Sequence, residues 1–411
     1  MAGETESPSA DGPLPQVIGL AALARAATDQ ASVQEVLEAL IGRVAEDSAD
    51  AGALLDLSTL LLATGNRDKG LELQGSAIGL QRCYRVGAPL PEPGLRLLVF
   101  MTAGDFTANT PLEFLLEGSD VELIACFVDG PPVAHGLPDH DLAFLAVGES
   151  ETAGPLLASL DGAFAQWPRP VFNARADVIA GLTRDGVAAK FPNHPHVLCP
   201  ATARTSRRRL ADVAAGREPL AALAETLAFP IIARPVGSHA GVGLEKLGGP
   251  QALGDYLAAH PDAEFFVAGF VDYSAPDGRF RKLRVVFIDG RPFLSHLAVS
   301  ERWMVHYLNA DMAQSSANRD EEAEAMATFD DGFAARHAAA FRALTTAFPL
   351  DYFGIDCAET PDGRLLVFEV DVAMIVHATD PEDLYPYKKP AMSRLFAAFV
   401  SALKARAAPA R

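Results

Sequence analysis

The sequence predicts a mixed α/β and α+β architecture, a parallel α/β domain followed by two α+β lobes, with a small all-helical domain in front. Three observations carry that reading. Helical spacing of apolar residues runs without strand signals through 15–85, strands alternate with helices over 95–200, and strand pairs flank two-residue turn signals beyond 271. With 411 residues, 49% of them hydrophobic, the chain can bury several cores.

The opening residues 1–14, MAGETESPSADGPL, are acidic and proline-rich and are expected to form a disordered tail without an export signal. In 15–85, Val33, Val36, Leu37 and Leu40 stand at i, i+3, i+4 and i+7. Two helical segments between Ala53 and Leu80 meet at Gly65-Asn66 and resemble one degenerate tetratricopeptide unit, a helical cap or oligomerisation element being the other reading. Gly87 to Gly94 marks a boundary. Leu95–Met101, Val121–Val128 and Asp141–Val147 then read as strands. Thr110-Pro111-Leu112-Glu113 reads as a helix start with a Thr cap, and a further helix runs through Leu156 and Phe164. Such alternation implies a doubly wound sheet over 95–200. Thr102-Ala103-Gly104-Asp105 after its first strand lacks GxGxxG, so no dinucleotide is indicated.

Residues 201–270 hold a basic cluster, a helix and a strand entering a glycine loop; they are expected as a small lobe. In 271–405, Phe280–Phe287 and Arg291–Val299 flank Asp289-Gly290, a strong hairpin signal. The polar run Ser315–Glu324 is expected as a loop entering one long helix, Ala325–Phe348. Strands Phe353–Glu359 and Leu365–Val370 flank the turn Pro361-Asp362-Gly363-Arg364.

The balance of 34 Lys plus Arg against 53 Asp plus Glu, a net charge of −19, argues against a nucleic-acid partner. Apolar runs are too short for a membrane span, so no membrane is expected and the cytoplasm is the expected location. Cys83, Cys126, Cys199 and Cys357 are scattered without a CxxC pair and are expected to be reduced and mostly buried.

Three segments carry chemistry. The strand FPIIARP ends in the cation Arg234 and enters Gly237-Ser238-His239-Ala240-Gly241-Val242-Gly243, a loop whose backbone N–H groups can approach phosphate oxygens. The extended segment FFVAGFVD, with Phe266 and Val267, suits an adenine edge; beyond it Lys282 and Arg284 share one strand face. Finally, Glu369 and Asp371 lie at i and i+2 of an apolar strand, and the Asp362-Gly363 turn brings Asp356 beside them. Three such oxygen donors suit Mg²⁺.

In this order the segments resemble the ATP-grasp superfamily, and within it the glutathione-synthetase-like and RimK-like ATP-dependent carboxylate–amine ligases, over about Leu95 to Leu395. Thr183-Arg184-Asp185 and Leu198-Cys199-Pro200-Ala201-Thr202 add to the resemblance. It implies the ATP-grasp fold, with ATP and Mg²⁺ held between the two lobes. It implies that Arg234 and the lid Gly237, Ser238, His239, Gly241 and Gly243 hold phosphates and that Phe266 and Val267 line the adenine. Arg284 would stabilise the transferred phosphoryl group, Lys282 the triphosphate, and Asp356, Glu369 and Asp371 would hold the metal. The partners implied are a small-molecule or peptide carboxylate and an amine. His296, Trp303, His306, Tyr307 and His377 are candidate substrate contacts. Self-association or a protein partner through the helical domain, and a homo-oligomer, are further expectations.

The sequence departs from the pattern. Gly186 stands where a lysine is usual, leaving Arg207 or Arg208 as replacement; Gly269 stands at the hinge glutamate, leaving the ribose to Asp272; Asp371 replaces an asparagine. Met374-Ile375-Val376-His377 replaces the usual Pro-Gly ending. Phosphoryl transfer without ligation, and a nucleotide-sensing scaffold without catalysis, are the rival readings.

Overall fold

A computed structural model describes residues 13–238 and 241–408; residues 1–12 of the expected tail and His239 of the lid lie outside the described residues. The chain starts with β1 (Gln16–Val17), four helices, α1 (Leu20–Ala26), α2 (Gln30–Glu46), α3 (Ala51–Ala63) and α4 (Arg67–Leu80), and β2 (Cys83–Val86). Then follow β3 (Leu95–Met101), α5 (Leu112–Leu115), β4 (Val121–Phe127), β5 (Leu142–Leu145), α6 (Gly154–Leu160), β6 (Val171–Phe172), α7 (Ala176–Ala180) and α8 (Arg184–Ala189). These strands make a six-stranded sheet in the order β1-β2-β4-β3-β5-β6, parallel from β4 through β6. Alternate residues of β3 serve its two faces: Leu98 and Phe100 pack on α6 and α7, while Leu97 and Val99 face the opposite core.

The helices before β2 lean on this sheet. Val17, Leu54, Leu55, Ala77, Tyr84 and Phe127 form one cluster, and the buried Asp56 of α3 accepts the N–H groups of Ile18 at 2.8 Å and Gly19 at 3.2 Å. Glu113 does not close a capping box on its own helix; its carboxylate accepts the Ala21 N–H at 2.9 Å, because Gly19 gives α1 no capping side chain.

After β7 (Val197–Leu198), the small lobe contains β8 (Thr202–Ser206), α9 (Arg207–Ala214), β9 (Ile231–Pro235), β10 (Glu245–Leu247), α10 (Pro250–Ala259) and β11 (Glu264–Gly269). Its antiparallel sheet, β10-β9-β11-β8, has its own core of Leu210, Ile231, Ala233, Leu253, Phe265 and Val267. The large lobe contains β12 (Phe280–Ile288), β13 (Arg291–Ser300), α11 (Ser316–Thr328), α12 (Ala338–Ala347), β14 (Tyr352–Glu359), β15 (Leu365–Asp371) and α13 (Lys388–Ala407). Its sheet runs β13-β12-β14-β15-β7. Leu395, Phe399 and Leu403 of α13 pack at once on Leu97 and Val99 and on Val286, Ile288 and Tyr352, so the first sheet and the large lobe share a core. Asn173 locks the two together, donating to Tyr352 O at 2.7 Å and accepting from Tyr352 N at 2.8 Å.

Three expectations are corrected. Cys83 and Cys126 are directly opposed on the antiparallel pair β2·β4 and form a disulfide, while Cys199 and Cys357 are free thiols. The polar run after Ser315 is helix, not loop: Ser315 caps α11, whose buried Asn318 and Glu322 bond Val299 O and Leu297 N at 3.1 Å. The single long helix is broken by a π-helical turn, Asp330–Ala334, before α12.

Candidate functional site

The floor of the cleft is the face shared by β12, β14 and β15. Register sets Arg284 opposite Asp356, Asp356 opposite Glu369, and Gly354 opposite Asp371, so the i, i+2 pairs gather on one surface. Asp356 is 4% exposed and accepts from Lys282 Nζ at 2.9 Å and from Arg284 Nε and Nη2 at 2.8 and 3.2 Å. Burial pushes its carboxyl up, but Arg284 and then Lys282 outweigh that and hold it well below the usual carboxylate range. Arg284 also donates to Ile375 O at 3.0 Å, tying the chain after β15 to the floor.

Two cations enter from other parts of the molecule. Arg184, at the start of α8, donates to Glu369 at 2.8 Å. Arg234, at the end of β9, is 8% exposed and donates its Nε to Ser238 Oγ at 3.0 Å and its Nη2 to Ser238 O. It has no ion pair among the described residues. Burial, and next the nearby Arg184 charge, push its guanidinium down to about 10. A buried arginine set beside another and lacking a carboxylate of its own is a place for an anion.

The glycine loop expected as a lid follows β9. Gly237, Gly241 and Gly243 have φ of 76°, 78° and 64°, values that favour glycine. A Cβ at Gly241 would lie 3.1 Å from Met304 Sδ, so the lid reaches the chain next to Trp303. Ser238 Oγ donates to Pro235 O at 2.8 Å, shaping the turn that presents it to Arg234.

The segment expected as the hinge lies in β11. Val267 is wholly buried in the small-lobe core, and both Phe266 and Val267 have ladder partners on β8 and β9. Their backbones are spoken for by the sheet, and the chain leaving it starts with Gly269, still paired with Ile231, and Phe270, whose N–H donates to Pro230 O at 3.0 Å. There Phe270 lies against Trp303, with centroids 5.6 Å apart, and Lys246 Nζ stands 3.5 Å over its ring. Asp272 accepts the Ser274 N–H at 3.0 Å and is exposed.

The substrate candidates fall on the large-lobe side. His296 pairs across the ladder with Arg284, and its ring lies 4.8 Å from that of Tyr307. Burial and then Arg284 keep its pKa well below the ordinary imidazole value. His306 is lowered in the same direction, by burial and then Lys282, and its N–H donates to Asn309. His377 approaches Phe114 of the first domain, centroids 6.0 Å apart. Behind Tyr307 lies a buried network that sequence patterning left unmarked: Lys388 donates to Asp380 at 3.0 Å and to Tyr307 OH, and Tyr387 OH donates to Glu322 at 2.6 Å. Trp303 contributes its carbonyl, which accepts from Tyr273 OH at 2.5 Å.

Of the two basic runs, only Lys282 and Arg284 reach the floor. Arg204 is held by Glu151 and Glu264, Arg207 by Leu257 O and His260 O, Arg209 by Glu218, and Arg281 by Asp277 and Glu321. Arg207 is thus no replacement for a lysine at Gly186; Arg184 brings a cation there.

Among the described residues no three acid, histidine or cysteine side chains converge as a metal cage. Asp356 is paired with Lys282 and Arg284, as Glu369 is with Arg184. Glu369 and Asp371 still suit Mg²⁺ by donor chemistry, since that ion usually takes one or two carboxylates and fills its shell with phosphate and water. Asp371 is pushed up to about 7 by burial and then by Glu369, the repulsion a bound cation relieves. Among the described residues no helix is long and apolar enough to cross a membrane.

No protein-family model and no curated protein matches the chain. Among solved structures it is similar in fold to a RimK domain ATP-grasp protein from Sphaerobacter thermophilus, at 15% identity and TM-score 0.41, covering 75% of this chain and 99% of that one. It is similar also to the D-alanine–D-alanine ligase of Bacillus anthracis complexed with ATP, at 13% identity and TM-score 0.44, covering 77% and 100%. A third is the VanG D-Ala:D-Ser ligase of Enterococcus faecalis, at 13% identity and TM-score 0.46, covering 76% and 100%.

Proposed function

We propose that the chain is an ATP- and Mg²⁺-dependent ligase that joins a carboxylate to an amine. The observation that carries this reading is Arg234, buried without a carboxylate beside Arg184, above a floor where Arg284 and Lys282 stand with Glu369 and Asp371. Such a set neutralises a nucleotide's terminal phosphates and a phosphoryl group in transfer.

In this reading Arg234 and Arg184 hold the terminal phosphates, and Arg284 faces the oxygens of the phosphoryl group that moves. A substrate carboxylate oxygen bonds to the γ-phosphorus as the bond to the ADP oxygen breaks. The amine nitrogen then bonds to the acyl carbon, the carbon–oxygen bond to phosphate breaks, and the amine proton passes to solvent. Mg²⁺ held by Glu369 and Asp371 would supply charge neutralisation at the phosphates. The lid from Gly237 to Gly243 would shield the acyl phosphate from water. Carboxylate and amine are small molecules or peptides in this reading, and self-association or a protein partner through α1–α4 stays part of the proposal.

One observation favours the non-catalytic scaffold: Arg184 already neutralises Glu369, and Arg284 and Lys282 already neutralise Asp356. Melting curves and turnover decide between them. At about 100 times its Kd, MgADP or MgATP adds about 2.7 kcal/mol of stability, and a ligase releases ADP when given its substrates, which a scaffold does not. Glu369→Ala should abolish that release; turnover equal to the parent's removes Glu369 from the reading, and no melting shift with either nucleotide removes the reading itself.

A further inference from the structure

Residues directly opposed on antiparallel strands share a face, and the register of the large lobe lines four of them up: Glu369 on β15, Asp356 on β14, Arg284 on β12 and His296 on β13. Each end of this row sits beside a bulge. His296 pairs with Arg284 but Leu294 with Val285, which leaves Ser295 as the extra residue on β13; Glu369 pairs with Asp356 but Val367 with Cys357, which leaves Phe368 as the extra residue on β15. Bulges re-aim the side chains next to them and are frequent beside active sites. Three members of the row are ion-paired, Glu369 with Arg184 and Asp356 with Arg284. His296 is the exception.

The imidazole is held in place without being hydrogen-bonded. Its ring lies 4.8 Å from that of Tyr307, which is fixed from behind by the buried Lys388, whose Nζ donates to Tyr307 OH and stands 4.2 Å from the ring centroid. Nδ1 of His296 is sealed from solvent and has no hydrogen-bond partner among the described residues; Nε2 has none there either but is not sealed, and the residue is half-buried. Which nitrogen carries the proton is set by what each can bond. On Nδ1 it would be a buried donor without an acceptor, in the field of Arg284, Lys282 and Lys388. On Nε2 it meets the cleft. Burial, and next Arg284, keep the ring uncharged at neutral pH; Asp356, which pulls the other way, is itself bound to Lys282 and Arg284.

Resting on the ligase reading, we infer that His296 is a further catalytic residue, an uncharged imidazole that donates its Nε2–H to an oxygen of the phosphoryl group that Arg284 also holds. Opposed residues have Cβ atoms about 5 Å apart, a span over which a guanidinium and an imidazole can take two oxygens of one phosphoryl group. A neutral imidazole serves as such a donor where its surroundings forbid the imidazolium. The proton stays on Nε2 throughout. His296 is therefore a donor and not the base, in keeping with an amine proton that passes to solvent.

The test uses the full chain saturated with MgADP and inorganic phosphate as the probe for the transferred group. In nitrogen NMR of histidine-labelled protein, the His296 signals, identified by their loss in His296→Gln, should show a protonated Nε2 and a bare Nδ1, and Nε2 should shift when phosphate is added. By calorimetry His296→Phe, which keeps a ring against Tyr307, should weaken phosphate at least about tenfold and leave MgADP affinity unchanged, which also certifies the fold. His296→Gln, which keeps an N–H donor, should restore part of the binding. A proton on Nδ1, an Nε2 signal that ignores phosphate, equal phosphate binding by parent and His296→Phe, or binding of MgADP but not of phosphate would each overturn the inference while leaving the nucleotide site standing. Failure of MgADP to bind the parent overturns the ligase reading, and this inference with it.

Discussion

Asp356→Asn isolates the charge at the centre of the floor. Asparagine keeps the size and one acceptor, but Lys282 and Arg284, with side chains 12% and 19% exposed, then lose the carboxylate that pairs both. Removing one partner of a buried ion pair costs about 3–5 kcal/mol, and the residual exposure of the two cations favours the lower figure. At about 2–4 °C per kcal/mol for a unit of 150–250 residues, the Tm should fall by about 6–12 °C. The folded-state pKa of Asp356 lies below its unfolded value. Its contribution is therefore complete above the unfolded pKa of about 3.9 and is lost as pH falls through the folded one. The gap between parent and variant should stay flat from pH 8 to pH 5. Adding Arg284→Gln removes one stranded cation and should recover about 1–3 kcal/mol relative to additivity. Calorimetric melts of the four proteins measure all of this. A fall under about 2 °C, or a gap that shrinks steadily between pH 8 and pH 5, would refute the idea that Asp356 anchors the two cations.

Arg234→Met should leave the ligand-free Tm level or raise it, since it removes a buried charge beside Arg184, while weakening MgADP at least about tenfold; a large loss of ligand-free stability would contradict the assignment. Glu113, pushed by burial up to about 7, binds a proton more tightly when folded, so parent stability should decline as pH rises from 4.5 to 7. Glu113→Gln, which keeps an acceptor for Ala21 N–H, should match the parent at pH 5 and exceed it at pH 8 by about 1 kcal/mol after allowing for partial exposure; equal melts at both pH values would sink this. Thiol titration of the unfolded, unreduced chain should count two thiols, Cys199 and Cys357, rising to four after reduction. Reduction should cost about 4 kcal/mol for releasing a cross-link that spans 43 positions in sequence, and an initial count of four thiols refutes the bridge.

Where a feature depends on neighbouring residues, sequence reading locates it closely. Leu95–Met101 is a strand with the expected ends, and Asp289-Gly290, with φ of 47° and 75°, turns the hairpin as its chemistry requires. Period-two alternation likewise placed Lys282 with Arg284 and Glu369 with Asp371. What escaped depends on distant partners. The run Arg204–Arg209 looks like a phosphate cradle by composition, yet Arg204 is claimed by Glu151, 53 positions away. The ladders that pair Val267 with Ala203 and Ala233 set it against residues 64 and 34 positions away. The Asn173–Tyr352 clasp joins residues 179 apart and leaves no local trace.

Gly186 shows how a misreading of this kind arises and how structure resolves it. Judged against a family pattern, it marks a missing lysine, with Arg207 or Arg208 as the expected replacement. In space a Cβ at Gly186 would lie 2.5 Å from Gly181 O and 2.7 Å from Thr183 Oγ1, the atom that accepts the Gly186 N–H to cap α8. No side chain fits there without opening the cap. Two positions earlier, Arg184 stands at the first position of the same helix and reaches Glu369 across 185 residues of sequence. The tight cap and the displaced cation are therefore one arrangement: the turn that bars a side chain at 186 is the turn that aims Arg184 into the cleft. Gly186→Lys should accordingly lose stability rather than add a phosphate contact.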